Sequence, residues 1–287
     1  MDRRAFLKSY LTLVLGTAIA GTGGGVYIKL LEPEWLDVQR VSIPLRYLPP
    51  ELHGLRLIQL SDMHLEPCTE LDFIKKALIR VSELEPDLIV LTGDFVYERA
   101  DVVEEMAPLL SVLNPPLGVF ACLGNHDYWT DAKVVWNGLE RAGVQVLVNS
   151  NHCIKFGGVE FALAGLDDYW SGEPDLDKTL EGIPPRQAVV LMAHEPDPAE
   201  NLLLGGRVGL QLSGHTHGGQ VQLPLIGAPV LPYLGTLYPE GLYSVHQGFL
   251  YVNRGLGVVP PGVRFNCRPE ITEITLESPE LKDRVLG

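Results

Sequence analysis

Apolar runs and amphipathic stretches alternate along the first half of the chain. Residues 55–60 (LRLIQL), 87–91 (DLIVL) and 119–123 (VFACL) have the length and apolar content of buried strands. Between the first two, residues 71–84 have helical spacing. Phe73, Ile74, Ala77, Leu78 and Val81 fall on one face, with Lys75, Lys76 and Arg80 on the other. Helices are also expected near 102–113 and 132–142, which gives a βαβαβα order. The second half reads mostly as strands, at 145–148, 153–156, 160–164, 188–192, 209–212, 242–245, 249–253 and 271–276. Pro and Gly cluster at 224–241 and 255–269, so loops are expected there. The pattern predicts an α/β (α+β) protein whose mixed sheets pack face to face with helices outside.

Five polar segments each follow an apolar run directly. They are Asp62-Met63-His64, Gly93-Asp94, Gly124-Asn125-His126-Asp127, His194 and Gly214-His215-Thr216-His217. Loops at the carboxyl ends of strands are where ligand groups converge on α/β sheets. Two positions apart on an extended segment, Asp62 and His64 share a side, as do His215 and His217. The glycines before Asp94, Asn125 and His215 are expected to allow turns that bring backbone close to the site. Carboxylate, amide and imidazole without thiolate suit Mn, Fe, Co, Ni or Zn. Seven such donors exceed one tetrahedral site and suit two adjacent divalent ions, with Asp94 as the shared carboxylate. Singly, each segment also reads as a capped turn or a hydrogen-bonded histidine. Jointly, five strand ends carrying only these residue types point to a metal centre.

Composition narrows the classes. Lys+Arg 22 against Asp+Glu 36 leaves −14 over 287 residues, which argues against a broad nucleic-acid surface. The four cysteines contain no CxxC pair, so a zinc ribbon and a thioredoxin-type site are not expected. No HExxH is present, which removes the common metalloprotease pattern.

Residues 1–31 read as a separate object. MDRRAFLK is basic, and 11–28 carry no charge. Arg3-Arg4-Ala5-Phe6-Leu7-Lys8 resembles the twin-arginine export signal, which implies the twin-arginine translocase as a partner. A retained N-terminal membrane anchor is the alternative, although Gly16, Gly21, Gly23, Gly24 and Gly25 are poor helix formers. The expected place is therefore the periplasm, the cell envelope or the membrane periphery, with an acidic domain over 32–287.

The order D-x-H, G-D, G-N-H-D, H, G-H-x-H over 62–217 resembles the calcineurin-like metallophosphoesterases. The resemblance implies a four-layer αββα sandwich. It also implies that Asp62, His64 and His217 ligate a first metal, that Asp94 bridges, and that Asn125, His194 and His215 ligate a second. His126 matches the catalytic histidine, and Asp127 the acid that orients it. The implied chemistry is phosphodiester or pyrophosphate hydrolysis through a hydroxide bridging the two metals. Further on, GHTHGGQ, residues 253–257 and residues 264–271 resemble the YaeI/YkuE-like phosphodiesterases, which are often exported or membrane-associated. Related members are linked to UDP-2,3-diacylglucosamine cleavage in lipid A biosynthesis. That pyrophosphatase activity, and a catalytically silent metal-binding scaffold, are the alternative functions.

Arg254, Arg264 and Arg268 are candidate phosphate contacts, or else partners for the excess carboxylates. The apolar stretch 221–243 reads as a packed loop, a lid or an acyl-chain and membrane contact. Asp167 and Asp168 are expected in a structural turn, and Trp35, Trp129, Trp136 and Trp170 in packing.

Overall fold

Successive residues of a strand face opposite ways, and their burial sorts this chain into layers. A computed structural model describes residues 24–281. The leader or anchor expected over 1–31 lies outside them, except for 24–31. Among the described residues, no helix is long and apolar enough to cross a membrane.

In chain order the strands are β1 (Asp37–Pro44), β2 (Leu55–Leu60), β3 (Leu88–Thr92), β4 (Val119–Cys122), β5 (Gln145–Val146), β6 (Ser150–Phe156), β7 (Val159–Gly165), β8 (Val189–Met192), β9 (Leu210–Ser213), β10 (Gly241–Val245), β11 (Gly248–Val252) and β12 (Glu270–Glu277). They form two mixed six-stranded sheets, ordered β1-β12-β2-β3-β4-β5 and β10-β11-β9-β8-β7-β6. The helices are α1 (Leu71–Glu83), α2 (Val103–Leu110), α3 (Asn125–Thr130), α4 (Ala132–Arg141), α5 (Leu176–Thr179) and α6 (Ala199–Leu202).

One face of each sheet meets the other sheet. Leu57, Leu88, Val90, Phe120 and Cys122 pack in one core with Phe161, Leu163, Val190, Met192, Leu210 and Leu212. The alternate residues Ile58, Leu60, Ile89, Leu91 and Ala121 turn outward onto Phe73 and Ile74 of α1, Met106 of α2 and Leu139 of α4. On the far side, Val189, Leu191, Leu250 and Val252 pack under Ala199 and Leu202 of α6. Each fully buried aliphatic side chain contributes about 1.5–3 kcal/mol. The outcome is the sandwich with flanking helices that the sequence predicts.

Four elements are absent from that prediction, among them the one-turn helices α5 and α6. β1 is an unexpected strand, paired parallel with β12 from Asp37↔Glu270 to Pro44↔Glu277. It is the sheet edge and only Ile43 in it is buried, so its apolar signal is weak. The other unexpected element is α3, whose six residues begin inside the GNHD segment.

Candidate metal centre

Strand direction decides where the polar segments land. β2, β3 and β4 run parallel in one sheet, and β8 and β9 run parallel in the other. Their carboxyl ends meet across the sandwich: the His215 amide donates to both oxygens of Asp62, at 2.9 and 3.0 Å. Asp62, His64, Asp94, Asn125, His194, His215 and His217 are all buried there. Ligand atoms cluster in three overlapping groups, each within 4.8 Å: Asp62, His64 and His217; His64, Asp94 and His126; Asp94, His194 and His215.

The paired residues converge by a route the sequence did not suggest. Asp62 and His64 have φ of 50° and 42°, and His215 and His217 have 72° and 51°. They stand beyond the strand ends in left-handed conformation, so strand alternation is not what aligns them. Asp94 joins them at φ 55°. Such a conformation costs a non-glycine residue on the order of 1–3 kcal/mol, and five at one point mark a site held in place by its surroundings. The preceding glycines act in two ways. Gly93 is left-handed, at φ 91°. Gly214 is required for room, since a Cβ there would collide with Ser61 Oγ and Asp62 Oδ2.

Backbone carbonyls fix the histidine tautomers. His194 Nδ1 donates to the Thr92 carbonyl at 2.7 Å, and His215 Nε2 donates to the Tyr233 carbonyl at 2.7 Å. A carbonyl only accepts, so the remaining nitrogens, His194 Nε2 and His215 Nδ1, carry lone pairs in the neutral rings. These two nitrogens lie 3.2 Å apart, and His194 Nε2 lies 3.2 Å from Asp94 Oδ2. Three electron-rich atoms thus converge where only a cation or a proton relieves them. On the other side, His64 Nε2 lies 3.3 Å from Asp94 Oδ2, and His217 Nε2 lies 3.5 Å from Asp62 Oδ1. His64 Nδ1, His217 Nδ1 and Asn125 Oδ1 are buried without a hydrogen-bond partner. The donor set fits bound divalent cations.

Electrostatics carries the same message. Burial pushes Asp62 up to about 7 and His64 down to about 3. Burial also lowers His215, and lowers His217 well below the usual histidine range. For Asp94, burial opposes ionisation, but His194 and His64 outweigh it and hold the carboxyl well below the usual range. His194 is raised well above its ordinary value because Asp94 overcomes the burial that would lower it.

The structure changes how His126 is held. Its Nδ1 hydrogen bonds to the Tyr97 carbonyl at 3.1 Å, and its ring stacks on Tyr97 with centroids 4.7 Å apart. The expectation that Asp127 orients this ring is corrected. The Asp127 carboxylate accepts backbone N–H groups from Asp94 at 3.0 Å, Phe95 at 2.9 Å and Gly124 at 2.9 Å. It therefore fastens the β3 and β4 turns together, and serves His126 only at one remove. Burial and then Asp94 push its carboxyl up to about 7.

The three arginines are already engaged. Arg254 pairs with Glu270 at 2.6 Å and with Asp37 at 3.1 Å. Arg268 lies over the Trp35 ring, 3.6 Å from its centroid. Arg264 is fully buried and donates to the carbonyls of Arg254, Gly255, Gly257 and Cys267 at 2.6–3.0 Å. Asp167 and Asp168 sit in a turn: Asp168 accepts the Trp170 and Ser171 amides, and Asp167 those of Asp168 and Glu173.

A cavity of about 550 Å³ opens from His64, Asp94, Asn125, His126, His215 and His217. Its walls include Trp129, Trp170, Val230, Leu231, Val259 and Val263. Trp129 and Trp170 are half-exposed on its rim and meet edge to face at 4.9 Å, where the sequence suggested ordinary packing. Trp129 carried a usable signal, three residues after His126 on α3 and hence on the same helical face.

The calcineurin-like phosphoesterase family profile matches residues 55–219. This chain belongs to the calcineurin-like phosphoesterases. The phosphoesterase is 37% identical over 283 residues to the metallophosphoesterase YkuE of Bacillus subtilis, covering 97% of this chain and 98% of that protein. It is 32% identical over 280 residues to the phosphodiesterase YaeI of Escherichia coli, covering 96% of this chain and 99% of that protein. It is 32% identical over 301 residues to the UDP-2,3-diacylglucosamine pyrophosphatase LpxG of Chlamydia trachomatis, covering 86% and 91%. The phosphoesterase is accordingly a metal-dependent hydrolase of phosphate esters, and its donor cluster is the candidate place for the divalent cofactor.

Proposed function

We propose that this chain is a phosphodiesterase-type hydrolase that holds two divalent ions and cleaves a phosphodiester or pyrophosphate bond. The observation that carries the reading is the convergence of His194 Nε2 and His215 Nδ1 with Asp94 Oδ2, a carboxylate also faced by His64. Asp62, His64 and His217 would hold one ion, and Asn125, His194 and His215 the other, with Asp94 shared. The bound ions supply an activated water and neutralise charge on phosphoryl oxygens.

The chain's own residues supply the rest. The Tyr97 carbonyl keeps a proton on His126 Nδ1, so Nε2 faces the leaving oxygen and, from the doubly protonated ring, gives it a proton and is left with its lone pair. The Asp94 carboxylate fixes the start of α3 by accepting the His126 amide at 2.9 Å, so the proton donor and the shared ligand are set by one group. Trp129 and Trp170 wall the cavity and reduce water access to the reacting bond. Arg254, Arg264 and Arg268 serve this reading as support for the site, because their guanidinium groups already have partners.

A second reading, a pyrophosphatase acting on an acylated nucleotide sugar, draws on the apolar cavity walls and on the likeness to LpxG. The basic, then uncharged, N-terminal segment supports export by the twin-arginine route or retention at the membrane. The test is turnover by the full chain, loaded with Mn²⁺, of a soluble aryl phosphodiester, the matching monoester and UDP-2,3-diacylglucosamine. Diester turnover well above monoester turnover is expected. UMP release selects the second reading. Turnover of the monoester alone overturns the diester assignment.

A further inference from the structure

We propose that the loop 221–239, the segment 258–263 and the segment 24–31 form one docking face for a lipid bilayer, which seats the cavity mouth at the membrane surface.

The loop is unlike the rest of the molecule. Residues 218–239 contain no Asp, Glu, Lys, Arg or His, in a chain that is 20% charged. Leu223 and Gly227 exchange backbone hydrogen bonds at 2.9 Å, which makes a tight hairpin with Leu225 and Ile226 at its tip. Leu225 is wholly exposed, Ile226 is 72% exposed, and Val230 is 75% exposed. Tyr233 and Leu237 are exposed as well. A lone surface leucine needs no account, but several large apolar residues on one uncharged loop mark a contact surface.

Backbone contacts join this loop to two neighbours. Gln222 donates to the Phe265 carbonyl and Phe265 to the Gln220 carbonyl, both at 2.8 Å. The preceding residue, Arg264, donates its amide to the Ile28 carbonyl at 2.8 Å. That brings the exposed Val26, Leu30 and Leu31 onto the same face. Gln220 Oε1 accepts the Val259 amide at 2.7 Å, which ties in the uncharged 258–263 segment along the cavity wall.

The occupant follows from the chain that leads into this face. Residues 9–28 carry no charge and are preceded by Arg3, Arg4 and Lys8, a composition suited to lipid with an anionic surface. Its described part begins at Gly24 and is tied at Ile28 to Arg264, the residue after the 258–263 segment. The body carries the acidic excess, which anionic headgroups repel, so contact is confined to the uncharged face. The loop and the 258–263 segment both line the cavity, through Val230, Leu231, Val259 and Val263.

The test is hydrogen exchange of the full chain with and without vesicles of phosphatidylethanolamine and phosphatidylglycerol, beside the variant Leu225→Glu/Ile226→Glu. Exchange maps contact by segment, so attachment through the N-terminus alone does not mimic it. The expected result is roughly tenfold slower exchange in 221–239 and 258–263 on adding vesicles, lost in the variant. Soluble diester turnover stays equal in the two proteins. Unchanged exchange in those segments overturns the proposal. So does slowing that appears on raising protein concentration without lipid, which would make a second copy the occupant. Absent diester turnover in the wild type counts against the phosphoesterase reading alone, because exchange is read independently of it.

Discussion

The Asp94 carboxylate accepts the backbone N–H of His126 at 2.9 Å through Oδ1, while its Oδ2 lies 3.2 Å from His194 Nε2 and 3.3 Å from His64 Nε2. One side chain thus links the start of α3, and the proposed proton donor on it, to histidines of both donor groups. Asp94→Asn keeps an acceptor for the amide but removes the negative charge that the two proposed ions would share. We expect metal content to fall at both positions and kcat/KM to drop by ~10³ or more. Metal analysis beside diester kinetics checks this, and unchanged metal content with full turnover would sink the bridging role.

His126 is expected to act on the leaving group rather than hold metal. His126→Ala should retain its ions and lose roughly 10²–10⁴ in kcat on a diester with an alkoxide leaving group. An aryl leaving group needs less proton donation, so its loss should be smaller. Equal loss on both substrates, or loss of metal, would place His126 among the ligands, as its closeness to His64 and Asp94 allows.

Gly214 is predicted to be intolerant of a methyl group. Gly214→Ala drives a Cβ into Ser61 Oγ and Asp62 Oδ2, so either the His215 segment or Asp62 must move. A cost of about 1–3 kcal/mol in stability is expected, together with weaker metal binding. Thermal melts with and without Mn²⁺ separate the two: the metal-induced rise in Tm should shrink.

Arg264 is predicted to support the site from beneath. Its guanidinium is buried and satisfies carbonyls on both sides of the 254–257 turn, in which Gly255 lies against Asp62 and His217. Arg264→Met leaves several buried acceptors unpaired, at a cost of about 3 kcal/mol or more. Arg264→Lys should recover only part, since one ammonium cannot reproduce the fork. A pure substrate contact would instead raise KM and leave the melting curve unchanged.

Thiol chemistry gives a pH-dependent check on the fold. Cys122 and Cys267 are buried, and burial raises both thiols, so neither should alkylate in the native protein. Cys153 is partly exposed, and its thiol is pushed up by partial burial and by Glu160, to which it donates at 3.0 Å. Thiolate is the nucleophile, so a raised pKa means slow alkylation that climbs as pH rises. Glu160→Gln removes a negative neighbour, lowers that pKa and should move the rate profile to lower pH. Mass-resolved alkylation between pH 7 and pH 10 reads both effects.

Most of the sandwich was legible because its strands are buried on both faces, and continuous apolar runs such as 88–91 and 189–192 carry that directly. The edge strand β1 was not, because residues such as Arg40 and Ser42 alternate with only half-buried partners. The donors were legible because each follows an apolar run. How they converge was not, since five left-handed φ angles at Asp62, His64, Asp94, His215 and His217 depend on contacts between separate loops. For the same reason the family resemblance, which implies that Asp127 orients the His126 ring, could not show what holds that ring. The Tyr97 carbonyl that holds it comes from another loop. The arginines illustrate the limit from the other side: a guanidinium near a phosphate site reads as a ligand until Glu270, Asp37 and the carbonyls around Arg264 are seen to occupy it.

The most direct test of the account is a metal titration with turnover as the readout. The full chain is stripped with chelator, Mn²⁺ is returned in steps, and hydrolysis of a soluble aryl phosphodiester is followed beside bound metal per chain. The account predicts no turnover in the stripped protein and activity that rises to a plateau at two ions per chain. Turnover that survives chelation, or a plateau reached at one ion, would contradict it.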